Sequence, residues 1–345
     1  MFSYKRLPDI ICIGSKKCGT SAFQYYLGLH PDIKANNGEP HFFDTLVLKD
    51  KKGTQENINH YLKKLPFAHK SSDLIFEKTP KLVVVEGVPE KINQTVGNQE
   101  TNFHLDDMVF VHIYCDPIKR LVSDFVHSVK GPVTKKRMKC HSVIKERYNG
   151  DLNIYLKKML PKIFACQFGN PNLGLYKNRN INCPDPKFNF NQTIQRVDFP
   201  DTQAMPGCSW SIITNGLYSI LIKKWLNHPK IGLDKMIFIN GDELIRDLPR
   251  IIIKFEDILI ERNLLSKKYF KMERFEKDHS TGFWCYRPEN GVRKCLADNH
   301  PNKGRTRGQS KNIKYTLSTE NRLDLEKLFR PYQNEFEKII DSNKI

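Results

Sequence analysis

What the chain lacks excludes most ordinary functions. No run approaches the ~20 apolar residues that a membrane-crossing helix needs. The opening MFSYKRLPD is too short and polar for a secretory signal. The chain is therefore expected to be soluble, or to meet a membrane only through an anchor absent from these residues. The Walker pattern, in which lysine follows the second glycine of the loop, is missing. Thr20 follows Gly19 and the lysine comes earlier, which argues against a kinase or ATPase. Zinc-finger spacing and RNA-binding aromatic motifs are also absent, so nucleic acid is not the expected partner. Acidic residues are short: 38 Asp and Glu face 56 Lys and Arg, for a net charge of +18. An excess of that size implies an acidic partner, such as anionic lipid or a sulfated or carboxylated polysaccharide. The run Lys135-Lys136-Arg137 reads as a basic loop.

What is present begins with a strand, a loop and a helix. Residues 10–13 form a short apolar run suited to a buried parallel strand. Gly14-Ser15-Lys16-Lys17-Cys18-Gly19-Thr20 follows, and 21–29 has helical spacing with Phe23, Tyr26 and Leu27 on one face. A strand feeding a helix through such a loop gathers backbone N–H groups and a helix dipole at one point, which suits an anion. Lys17 adds a full charge. Glu39-Pro40-His41-Phe42-Phe43-Asp44 then brings a carboxylate, an imidazole and a second carboxylate. This order suggests a group-transfer enzyme with a phosphorylated donor, Lys17 and Glu39 sharing one cleft.

Further strands are expected at 74–80, 108–114 and 236–240. Pro117 opens a helix over 119–129, and a helix rich in Leu and Ile runs to about 259. Such alternation predicts an α/β fold with a central parallel sheet flanked by helices and ligands at the carboxyl ends of its strands. At 345 residues the chain can fill one large domain or two smaller ones. Nine cysteines favour an oxidising compartment. Cys285 and Cys295 bracket a turn at Pro288, Asn290 and Gly291 and predict a small disulfide hairpin near the C-terminus. Cys140, Cys166, Cys183 and Cys208 are available for two more bridges, and Cys12 is expected to be a buried thiol. Two sequons, at Asn93 and Asn191, fit a glycoprotein.

Taken together, these motifs resemble the heparan sulfate glucosamine 3-O-sulfotransferases. The likeness rests on Lys16-Lys17-Cys18-Gly19-Thr20, Glu39 to Asp44, Glu77-Lys78-Thr79-Pro80, and Cys115-Asp116-Pro117 followed by Ser123-Asp124-Phe125. It continues through Trp210-Ser211, Gly216, Tyr218 and Trp225-Leu226, Gly282 to Cys285, and Lys303 to Thr306. It covers 7–130 and 208–340 of what is then a single P-loop-like sulfotransferase domain over 1–345. The resemblance leaves an irregular, cysteine-containing insert at about 131–207 without counterpart.

The resemblance implies 3′-phosphoadenosine 5′-phosphosulfate (PAPS) as donor, its bisphosphate (PAP) as product, and heparan sulfate as acceptor, in the Golgi lumen and as a monomer. It implies Glu39 as general base, with His41 and Asp44 orienting it and Lys17 stabilising the leaving phosphate. Lys16, Lys17, Cys18, Gly19, Thr20 and Ser21 would hold the 5′-phosphosulfate. Cys115, Ser123 and Lys303, Gly304, Arg305, Thr306 and Arg307 would hold the 3′-phosphate and adenosine. Pro40, Phe42, Phe43, Lys78, Thr79, Pro80, Trp210 and Ser211 complete the acceptor side. N- or 6-O-sulfation, or a catalytically weak polysaccharide-binding relative, are the alternatives.

Three positions depart from the pattern. Cys115 stands where the family has an arginine that holds the 3′-phosphate, a contact worth roughly 1.5–3 kcal/mol; either donor affinity is expected to fall, or Lys119 or Arg120 to replace it. Cys18 stands for a loop glycine and would be strained if its φ were positive. Ser21 stands where arginine is frequent.

Overall fold

The computed structural model describes residues 3–48, 54–97, 105–130, 148–165, 207–289, 291–296, 316–341 and 344–345. The backbone divides into two compact units. The first comprises Met1–Cys115, Ile222–Arg305 and Ile340–Ile345, and the second Asp116–Leu221 and Thr306–Ile339.

The first unit holds a five-stranded sheet of β1 (Ile10–Gly14), β2 (Ile33–Ala35), β3 (Leu74–Lys78), β4 (Val109–Tyr114) and β5 (Met236–Asn240), in spatial order β2-β3-β1-β4-β5. All its pairings are parallel. Every residue of β1, β3 and β4 is buried. That explains the near-continuous apolar runs of β1 and β4 and of the first three residues of β3, since a parallel strand covered on both faces has no reason to alternate; Glu77 and Lys78 at the end of β3 are buried charged exceptions. The chain moves from β1 out to the edge strand β2, returns to β3 beside β1, then crosses to β4 on the other side of β1. The carboxyl ends of β1 and β4 thus flank the point where the winding reverses, where open α/β sheets take their ligands.

α1 (Thr20–Leu27) leaves β1, and Phe23, Tyr26 and Leu27 are its buried face, as the spacing predicts. α2 (Phe43–Leu48), α3 (Gln55–Lys64) and α4 (Val88–Gly97) follow in this unit. Thr95 of the first sequon is buried in α4, its Oγ1 donating to the Lys91 carbonyl at 2.7 Å. The second sequon lies outside the described residues. A single Leu/Ile-rich helix after β5 is not what forms. Two do, Gly241–Arg246 and Leu248–Glu261, because the Asp247 side chain accepts from Arg250 N and starts the second.

An antiparallel three-stranded sheet, β6 (Phe275–Lys277), β7 (Trp284–Tyr286) and β8 (Lys294–Cys295), forms the expected hairpin, with Cys285 and Cys295 paired in register and disulfide-bonded. Tyr25 of α1 donates to the Cys295 carbonyl at 2.8 Å, tying the hairpin to that helix. Cys12 is a buried thiol, and burial pushes its pKa up to about 12.

The second unit contains α5 (Pro117–Lys130), α6 (Leu152–Ala165), α7 (Gly207–Thr214), the start of α8 (Tyr218–Leu226), and α11 (Thr319–Ile340); the two helices after β5 are α9 and α10. It has its own core, which includes Leu121, Phe125, Tyr155, Leu156, Ile213 and Phe329. Among the described residues of the stretch 131–207, expected to be irregular, Leu152–Ala165 forms the helix α6. Cys140, Cys166 and Cys183 lie outside the described residues, and the bridges expected of them and Cys208 are not described.

Under the β1–α1 loop, Ser15 Oγ meets His112 Nε2 of β4 at 2.9 Å, both residues buried. Burial lowers the His112 pKa to about 3, so the folded protein holds it neutral. The unfolded chain takes up that proton near pH 6.5, so the stabilisation is complete above pH ~6.5 and is lost as pH falls towards 3. Urea midpoints at pH 7 and pH 5 should show a marked loss for the wild type and a smaller one for His112→Gln.

Candidate active site

Two non-glycine residues at the site adopt positive φ: Lys17 at 77° and His41 at 51°. Such torsions are costly for lysine and tend to collect where the fold imposes a functional geometry. In the loop, Lys17 and Gly19 (φ 96°) flank Cys18, which is not left-handed. The strain expected at Cys18 therefore falls on Lys17, and the glycine that is needed is Gly19. Left-handed residues alternating with right-handed ones turn successive N–H groups to one side, making a concavity for an anion. Gly19 occupies the N-cap of α1 with no capping side chain, leaving the helix start open to an anionic group. Lys16 and Lys17 are half-buried beside it and Ser21 is exposed on the first turn.

The acceptor-side acid is built by β3 and the turn before α2. Lys78, at the last position of β3, is 3% exposed and donates to Glu39 Oε1 at 2.8 Å. The same ammonium lies 3.5 Å from Ser21 Oγ, so one buried lysine connects the start of α1 to Glu39. His41 Nε2 lies 3.3 Å from Glu39 Oε2, and His41 Nδ1 is 2.9 Å from Asp44 Oδ2. An imidazole between two carboxylates is held as a cation. Hydrogen bonds to Asp44 and then Glu39 raise its pKa to about 9. For Glu39, burial pushes upward, but hydrogen bonds from His41 and Lys78 and their charges outweigh it and hold the carboxyl at about 2.

Near these groups lies a third carboxylate. Glu77 is buried and accepts from Tyr61 Oη and Thr79 Oγ1, each at 2.6 Å. Burial, foremost, raises its pKa. Phe42 stacks on Tyr61 at 4.3 Å and Phe43 packs edge-on at 5.4 Å. Phe42 and Phe43, expected on the acceptor side, are thus buried packing that fixes the turn carrying His41. Pro40 is buried and its carbonyl accepts from Lys64 at 3.0 Å, while Pro80 closes the end of β3 against Gly14. Glu77 and Tyr61 were not expected as supports; a glutamate beginning a charged strand end gives no signal that it points inward.

Cys18 and Cys115 form a disulfide, with Cα atoms 5.4 Å apart across 97 residues of chain. Two of the three departures from the family pattern are thus one feature. Neither cysteine offers a side-chain contact to a phosphate. Arg120 does not take over the missing charge either: it is buried in the second unit, held by Asp124 at 3.1 Å and by the Ile212 carbonyl. Asp116 caps α5, accepting from Ile118 and Lys119 N at 2.8 and 3.0 Å. Ser123 and Ser211 are half-buried in that unit. The side chain of Trp210, and residues 303–307, lie outside what the structure describes.

Proteins similar to this chain in sequence include sulfotransferases. The mouse heparan sulfate glucosamine 3-O-sulfotransferase 3B1 is 25% identical over 334 residues, spanning 96% of this chain and 63% of that protein. The bovine bifunctional heparan sulfate N-deacetylase/N-sulfotransferase 2 is 24% identical over 341 residues, 97% of this chain and 30% of that protein. Over most of its length the chain is similar to heparan sulfate sulfotransferases. It spans less than two thirds of the length of these relatives. No protein-family model matches it. A solved sulfotransferase from Alicyclobacillus acidocaldarius superposes with a TM-score of 0.50 at 13% identity, covering 97% of this chain and 96% of that one. The fold is that of a sulfotransferase.

Proposed function

We propose that the protein transfers a sulfuryl group from PAPS to the 3-hydroxyl of a glucosamine in heparan sulfate. We place it in the Golgi lumen as a monomeric single-domain enzyme. The observation that carries this reading is Lys78, which reaches both Ser21 at the start of α1 and Glu39. A strand-to-helix loop with left-handed torsions, an uncapped helix start and neighbouring lysines suits a phosphosulfate. One buried cation between that loop and a carboxylate suits a group passing from one side to the other. The relatives' shared substrate name supports heparan sulfate, and the net charge of +18 suits a polyanion.

In the reaction, Glu39 takes the proton of the sugar hydroxyl as its oxygen bonds to sulfur. The bond from sulfur to the 5′-phosphate oxygen breaks and PAP leaves. Lys17 and Lys16 neutralise the charge growing on that phosphate. A carboxylate held at about 2 is a poor base. Lys78 therefore has to turn from Glu39 towards the sulfuryl oxygens when donor is bound. That movement both stabilises the transferring group and restores basicity to Glu39. His41, as an imidazolium bound to Asp44, keeps Glu39 oriented.

Two measurements test this. With labelled PAPS and heparan sulfate carrying both N-sulfated and unsubstituted glucosamine, label should appear in 3-O-sulfated glucosamine on disaccharide analysis. Label on the amine would instead favour the N-sulfating activity named for the bovine relative, and no transfer would remove the proposal. Because His41 must stay charged, kcat/KM for the acceptor should be flat through neutral pH and fall above about 9. His41→Gln should lower the plateau and erase that limb.

A further inference from the structure

The Cys18–Cys115 bond joins the anion loop after β1 to the end of β4, across the crevice where the sheet reverses its winding. It grips the middle of the loop, between the left-handed Lys17 and Gly19. A second restraint meets the same residue. The Cys18 carbonyl lies so close to Gly241, at the start of α9, that a Cβ there would sit 2.3 Å from the oxygen. Cys18 N also donates to Ser15 O at 3.2 Å. The loop is therefore held from three sides, and the covalent hold is the one this sequence supplies with two unusual residues.

We propose that this disulfide is a positioning element for the donor: it locks the loop in the shape that accepts the 5′-phosphosulfate, so that donor affinity depends on its oxidation. This rests on the function proposed above. The bond touches no reacting atom, so its loss should weaken donor binding and leave chemistry at saturating donor intact. Since the two sulfurs act as one unit, removing either should cost as much as removing both.

Calorimetry with PAP tests it, on Cys18→Ala, Cys115→Ala and the double variant. About tenfold weaker binding is expected in all three. The donor KM should rise in parallel, with kcat within twofold and the acceptor KM unchanged. Folded variants that bind PAP as the wild type does would overturn the inference and leave the proposed function standing. Failure of the wild type to bind PAP would remove both. A measurement on the intact protein covers variants that do not fold. By reciprocity, PAP should make the Cys18–Cys115 bond harder to reduce. A tenfold coupling corresponds to about 30 mV for a two-electron couple. Reductant titrations read by mass spectrometry of alkylated thiols should show that shift at Cys18 and Cys115 and none at Cys285 and Cys295. An unmoved midpoint would overturn the inference.

Discussion

Glu39→Gln should lower sulfuryl transfer by roughly 10²–10⁴-fold, the range general-base removal commonly gives. The amide keeps the size of the carboxylate, and its oxygen can still accept from Lys78, now 2.8 Å from Oε1. What it loses is the ability to carry a proton away from the acceptor. Binding of PAP should be nearly unchanged, since Glu39 meets the donor side only through Lys78. Transfer within a few-fold of wild type, measured in single turnover with labelled PAPS, would remove Glu39 from the base role.

Gly241→Ala should be strongly damaging although it adds only a methyl group. Gly241 is not among the left-handed glycines, so its reason is space. An added Cβ would meet the Cys18 carbonyl at 2.3 Å and the Tyr114 carbonyl at 3.0 Å. Both are backbone, one held by the disulfide and the other by the β4–β5 ladder. Neither can swing aside as a side chain would. Overpacking of this kind costs about 1–3 kcal/mol, seen as a lowered melting temperature, and displacing Cys18 should also weaken PAP binding. Gly97→Ala, where a Cβ meets nothing within 4 Å, is the control and should be near silent. A Gly241→Ala protein as stable as that control would show the loop to be looser than described.

The parts of the fold written locally were legible in the sequence. β1, its loop and α1 carry an apolar run, a glycine-lysine turn and a 3.6-residue spacing within one short stretch. The Cys285–Cys295 hairpin carries its turn residues between its cysteines. What was not legible depends on distant residues. The Cys18–Cys115 pair is separated by 97 residues, and no spacing rule joins them. Two unexplained cysteines at the ends of two strands of one parallel sheet were the available signal. The expected use of Arg120 fails because its partner, Asp124, lies one helical turn away and turns it inward. Lys78 reads as an acceptor-side residue of the motif Glu77-Lys78-Thr79-Pro80, and nothing in that motif indicates that its ammonium closes on Glu39. Phe42 and Phe43 read as site residues because they sit between His41 and Asp44 and their neighbours in the chain. Their rings pack on Tyr61, which lies in a different helix.

The claim underlying the whole mechanism is that Glu39 rests in the grip of Lys78 and His41 and is released from one of them to act. Carboxyl ¹³C titration, with the Glu39 signal assigned by its loss in Glu39→Gln, tests it most directly. The free wild-type protein should titrate there at about 2, and Lys78→Met should move that pKa upward. A Glu39 that titrates near 4.5 in the wild type, the ordinary carboxylate value, and is indifferent to Lys78 would contradict it.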